Sequence, residues 1–240
     1  MKTIKPPRPK RPRRSPRDIT AGILFLSLAL SLVYSAVRFF LSPDTVTAGN
    51  EYVHVKSDYA LIFLQCLLGV FVLGLPSLFS RRWNLTLPNF MYIMYYIFLY
   101  CAVFLGEVLQ FYYYVPNWDN ILHFFSGGML GALGFILVEW LNEDVHIRVS
   151  LSPAFVALFA FCFALACGAI WEIYEFSIDH LLGLNMQKFA TVTGELLVGH
   201  EALMDTMEDL IVDAVAAFLI SMLGYFRLKT AAASAAQPKS

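Results

Sequence analysis

Charge is scarce in this chain: Asp, Glu, Lys and Arg supply 15% of its 240 residues, against about a quarter in soluble domains. So few charges cannot cover a water-facing surface, and the apolar share of 58%, with a mean hydropathy of +0.63, asks for lipid as solvent. Cysteine is also sparse. Cys66, Cys101, Cys162 and Cys167 fall inside apolar runs without CxxC spacing, which excludes a disulfide framework or a zinc knuckle and leaves four small buried hydrophobes. There is no internal repeat, no nucleotide-binding glycine loop and no nucleic-acid signature, so nucleic acid is not an expected partner.

What is present are apolar runs of about twenty residues, the length that crosses a hydrocarbon core about 30 Å thick at about 1.5 Å per residue. Six such spans are expected, over 19–41, 58–79, 88–115, 119–141, 153–180 and 205–226. The first follows a basic stretch, but it is too long for a signal-peptide core and lacks a small-residue cleavage site, so it reads as a retained signal anchor. The fold class is an all-α polytopic membrane helix bundle. Residues 1–17 combine eight basic residues with five prolines and form an expected disordered tail that sets topology or meets anionic lipid headgroups. Residues 18–228 form the membrane domain, and the Ala/Ser-rich 229–240 a second disordered tail.

Basic residues orient the bundle, because cytoplasmic loops retain Lys and Arg. With the N-terminus inside, fourteen of the seventeen lie on the inner side, and only Lys56 and Lys188 on the outer, Arg38 sitting near the outer end of the first span. Both termini are therefore expected in the cytoplasm.

Ionisable groups at membrane depth cost about 2.5–3.5 kcal/mol each at a helix centre and mark function by default. Here they share one half of the membrane. Span three carries Glu107 and Gln110, span four opens with Asp119 and His123, span five ends with Glu172, Glu175, Asp179 and His180, and span six opens with Asp205, Glu208, Asp209 and Asp213. Once the helices are oriented, all lie in the outer half. Glu107, Glu172 and Asp213 are expected at one floor roughly 10–12 Å below the mouth, where Asp119 and Asp205 stand. Asp119, His123, Gly127 and Gly131 recur every four residues, as do Asp205, Asp209, Asp213, Ala217 and Ser221, and Ala160, Ala164, Gly168 and Glu172. Each ridge is polar outside and small inside, and small residues let helices approach closely. The expected result is an acidic cup closed below. Residues 181–204 are long enough to fold over it as a lid or re-entrant segment, or to lie as a surface loop.

So many carboxylates cannot all ionise in a low-dielectric site without cations. Compensation comes from a metal ion, protons or a cationic ligand; oxygen donors suit Mg²⁺, Mn²⁺ or Ca²⁺, and carboxylates with histidine also suit Zn²⁺.

The patterns WDNILHFFSGG (118–128), WEIYE (171–175) and DTMEDL (205–210) resemble the YjdF-like family of bacterial inner-membrane proteins over roughly residues 88–226. More loosely, the order DxxxHF, Exx(E/Q) and an Asp-rich last helix is similar to the VanZ-like family, linked to cell-envelope glycopeptide tolerance. The resemblance implies a multi-pass location in the bacterial inner membrane. It also implies site positions Asp119, His123, Glu172, Glu175, Asp205 and Asp209, while Glu107, Asp179 and Asp213 are supporting candidates from the acidic cluster itself. Three functions are open at this point. One is a metal-dependent enzyme on a lipid-linked or envelope substrate, with His123, Glu172 or Glu175 as general base. The others are a cation- or proton-coupled carrier and a noncatalytic envelope assembly protein.

Overall fold

The structure, a computed structural model, describes residues 15–44, 55–143, 151–191 and 195–235. Its elements in chain order are α1 (Pro16–Leu41), α2 (Lys56–Val72), α3 (Leu75–Trp83), α4 (Asn89–Leu99) continued by a π-helical stretch (Tyr100–Val108), α5 (Phe111–Tyr114), α6 (Trp118–Glu143), α7 (Pro153–Leu182), and α8 (Met204–Ala235), which a short 3₁₀ turn (Glu201–Leu203) precedes. No strand occurs among the described residues; Ala190 and Leu196 form an isolated bridge. Six helical stretches are long and apolar enough to span a membrane. Large apolar side chains such as Phe40, Phe71, Ile170, Ile173 and Phe176 point outward, as lipid-facing helices require.

Local chemistry explains where the element bounds depart from the expected spans. Helix α1 starts at Pro16 rather than 19, because Ser15 and Asp18 form a reciprocal capping box and Pro16 occupies the first turn, where it has no hydrogen bond to lose. The expected tail over 1–17 therefore loses its last residues to α1, and residues 1–14 lie outside the described residues. The span expected over 58–79 is broken after Val72, where Pro76 on the next turn cannot donate back to that helix. The span expected over 88–115 ends at Val108, and Gln110, at φ +61°, turns the chain into α5. The tail expected from 229 is helical to Ala235, since alanine is the strongest helix former.

The helices form two mutually packed groups. In one, Leu24 and Leu28 of α1, Tyr59, Ile62 and Cys66 of α2, and Tyr92, Tyr96 and Leu99 of α4 make a common core. Arg17 pins one end of this core, lying 3.4 Å from the Tyr92 ring centroid and donating to Ser77 Oγ at 3.0 Å. The other group is α6, α7 and α8, each packed on the other two. Glycines set their spacing: a Cβ at Gly134 would lie 2.7 Å from Ala160 Cα, and one at Gly127 only 2.9 Å from the Asp213 carbonyl oxygen. The four-residue ridges thus face inward, with Ala160, Ala164, Gly168, Ala217 and Ser221 buried. The four cysteines are free.

Candidate functional site

His123 stands in the second turn of α6 and is 5% exposed. Its Nδ1 faces Asp213 Oδ2 of α8 at 3.2 Å. With Asp213 facing Nδ1, Nε2 is the ring nitrogen turned to the other side. There it meets one carboxylate from each of the three helices: Asp119 Oδ1 at 3.9 Å, Glu172 Oε1 at 3.9 Å and Asp209 Oδ2 at 3.8 Å. These separations exceed a hydrogen bond. They suit atoms that converge on a common partner.

The donor atoms fall into two overlapping groups, each within 4.8 Å: His123, Glu172 and Asp209, all buried, and Asp119, Asp205 and Asp209. Asp209 belongs to both. It is 1% exposed, and neither of its carboxylate oxygens has a hydrogen-bond partner; the same holds for Glu172 Oε1, Asp205 Oδ2 and Asp213 Oδ1. An isolated buried carboxylate costs several kcal/mol. Nitrogen and oxygen donors in this number fit a divalent metal ion, and the orphaned oxygens are the chemical reason it would be held.

Gly168 is part of the same construction. A Cβ there would collide with the Asp213 carboxylate, so the glycine of α7 makes the space in which α8 presents Asp213 to α6. The i, i+4 ridges supply the rest, placing Asp119 and His123, or Asp205, Asp209 and Asp213, on one side of their helices.

Other expected site residues serve differently. Glu175 is buried but joins neither donor group; its Oε1 accepts from Trp171 Nε1 at 2.9 Å. Asp179 holds the following loop, accepting from the backbone N–H of Met186 at 2.8 Å and of Gln187 at 3.0 Å. Glu107 lies outside both donor groups, and its carboxylate meets the Gln65 side chain of α2. His180 and Glu208 are exposed, lying off the inward ridges of α7 and α8.

After α7, in the connection to α8, Met186, Gln187 and Lys188 fold over the mouth. Gly183, at φ +66°, ends α7. Gln187 Nε2 then reaches Glu172 Oε2 at 3.3 Å and Thr206 Oγ1 at 2.9 Å. Lys188 Nζ donates to Asp119 Oδ2 at 2.7 Å and Asp205 Oδ1 at 2.5 Å. Burial pulls the Lys188 pKa down, but Asp119 and Asp205 outweigh it and hold the ammonium above the ordinary lysine range. Val192, Thr193 and Gly194 of this connection lie outside the described residues. Gln187 was not singled out in the sequence, and Trp171 and Thr206 stood inside the WEIYE and DTMEDL patterns without a role of their own. Lys188 was visible as one of two outer basic residues.

Six spanning helices with one imidazole enclosed by carboxylates from three of them define a multi-pass membrane protein with a buried His/Asp/Glu site near one end of its bundle. Residues 23–230 match the family described as predicted membrane protein DUF2238, and the chain belongs to that family. It is also similar to an uncharacterized protein of Thermotoga maritima, 30% identical over 135 residues, which cover 56% of this chain and 59% of that one. The match therefore spans little more than half the length of that relative. No solved structure matches the chain. Neither match concerns the VanZ-like family.

Proposed function

We propose that this protein is a divalent-metal-dependent enzyme of the bacterial inner membrane, working at the outer face on a lipid-linked or envelope substrate. The observation that carries this reading is the convergence of Asp119, Glu172 and Asp209 on His123 Nε2, with Nδ1 held by Asp213. A carboxylate behind a histidine fixes its tautomer and raises its basicity toward a metal. His123, Glu172 and Asp209 are the ligands of this reading, and one nitrogen with carboxylates favours Zn²⁺ or Mn²⁺. When bound, the ion polarises a substrate oxygen or lowers the pKa of water. Glu175, oriented by Trp171, is the general base, and the outward direction follows from the distribution of Lys and Arg.

The enzyme reading is favoured over a carrier by what lies deeper in the bundle. Gly134 meets Ala160, and Phe135 fills the space at Gly224, apolar closures that suit a site served from one face. The polar groups gather at the α7–α8 end, where lipid headgroups and lipid-linked substrates present their polar parts.

Elemental analysis of protein purified in nanodiscs after incubation with Zn²⁺ or Mn²⁺ tests the reading. Wild type is expected to retain a divalent ion through desalting, and His123→Ala and Asp209→Asn, checked for folding by circular dichroism and gel filtration, to lose it. Metal-free wild type after loading with either ion would overturn the proposal. Glu175→Gln is expected to keep the ion, because its carboxylate lies outside both donor groups.

A further inference from the structure

The outer donor group already holds a cation, one supplied by the chain. Lys188 Nζ lies between Asp119 Oδ2 and Asp205 Oδ1, at 2.7 and 2.5 Å, while Asp205 Oδ2 and both oxygens of the fully buried Asp209 have no hydrogen-bond partner. Asp119 is two-sided: Oδ1 faces His123 Nε2, and Oδ2 faces the Lys188 ammonium. Asp209 is common to both groups. Carboxylates shared between adjoining cation positions are how paired metal ions are held about 3.5–4 Å apart in two-metal sites.

We propose that Asp119, Asp205 and Asp209 form a second divalent-cation position next to the His123 position, and that Lys188 is its tethered resident cation, displaced when the second ion binds. The ligands are all oxygen, so this position takes a hard ion, Mg²⁺, Mn²⁺ or Ca²⁺. The inner position, with its imidazole, has the different preference given above. Lys188 is suited to be displaced. Its side chain is 45% exposed, so it can exchange two carboxylate contacts for water, whereas Asp209 has no such alternative. Its place in the loop is set separately by Asp179, which binds the backbone N–H groups of Met186 and Gln187. The ammonium can therefore leave without unfolding the turn that carries it. The inference rests on the inner site binding metal and adds that its count of ions is controlled by one lysine.

The experiment is Mn²⁺ titration of the full chain in nanodiscs, read by elemental analysis and by electron paramagnetic resonance, which distinguishes a single Mn²⁺ from a coupled pair. Lys188→Met keeps the aliphatic stem and removes the charge; Lys188→Gln is a second variant. Both are expected to bind a second ion at least about tenfold more tightly than wild type, the direction set by removing a competing positive charge at contact distance, and to show the coupled-pair spectrum. Asp205→Asn in the Lys188→Met background is expected to remove the second ion and keep the first. If wild type and both lysine variants bind one ion with equal affinity, or if wild type already binds two, the role of Lys188 is overturned and the metal-enzyme reading stands. If no variant binds any ion, the inner site itself has failed.

Discussion

Among individual residues, Asp213 and Gly168 do the least visible work. Asp213 touches His123 through Nδ1, on the side away from the converging carboxylates, so its effect on a metal passes through the orientation and basicity of the imidazole. Asp213→Asn is expected to weaken metal affinity about 10- to 100-fold, as changes behind a ligating histidine do, with metal competition by a fluorescent chelator as the measurement. Gly168→Ala is expected to act in the same direction without altering any polar group, because the new methyl takes the place of the Asp213 carboxylate. Equal affinities in wild type and Gly168→Ala would show that Asp213 does not position the histidine. All three acidic partners at the Nε2 side, Asp119, Glu172 and Asp209, were legible from the four-residue repeats. Gly168 was legible only as a packing position, since its second role needs the carboxylate of another helix beside it.

At the scale of elements, the segment from Gly183 to His200 matters most. A chain of this length with glycines and apolar residues can be a lid or a plain loop, and the sequence does not choose between them. The choice is made by Asp179, one turn before the end of α7, which accepts two backbone N–H groups of the returning chain. Hydrogen bonds to a charged acceptor are worth about 1.5–3 kcal/mol each. Asp179→Ala is therefore expected to release the turn: amide exchange at Met186 and Gln187 should accelerate at least about tenfold, one decade for each 1.4 kcal/mol lost, while the transmembrane helices keep their protection. Unchanged exchange would mean that Gln187 and Lys188 hold the loop alone. The π-helical stretch had a similar status. Residues 88–115 have few polar breaks beyond Asn89, Glu107 and Gln110, and only the structure shows the chain leaving its helix at Val108 and turning at Gln110.

For the whole molecule, two properties are open to direct test. The lysine and arginine distribution predicts that a C-terminal fluorescent protein will fold and fluoresce in the cytoplasm, while alkaline phosphatase fused after Leu182 will be active outside; the reverse pair would invert the site to the cytoplasmic face. The second property is packing. At Gly134, a side chain would begin 2.7 Å from Ala160 Cα, so Gly134→Val must push α6 and α7 apart. About 1–3 kcal/mol of destabilisation is expected, the usual cost of overpacking, measured as a lower thermal midpoint in detergent; the site at the far end of the same helices should loosen with it. Little change in the midpoint would argue that this approach is not needed for the bundle.

Helix class, the number of spans and the small-residue faces were decided by the sequence alone, because lipid forces each apolar segment to satisfy its own backbone and a four-residue period then places side chains on one side. Which acids meet was decided by tertiary structure. Glu172, Asp209 and Asp119 converge on His123, whereas Glu107, His180 and Glu208 do not. The physical reason is that convergence depends on the rotation and approach of different helices, set by contacts such as Gly134 with Ala160 and Gly168 with Asp213. Those are relations between distant segments, and no local period encodes them.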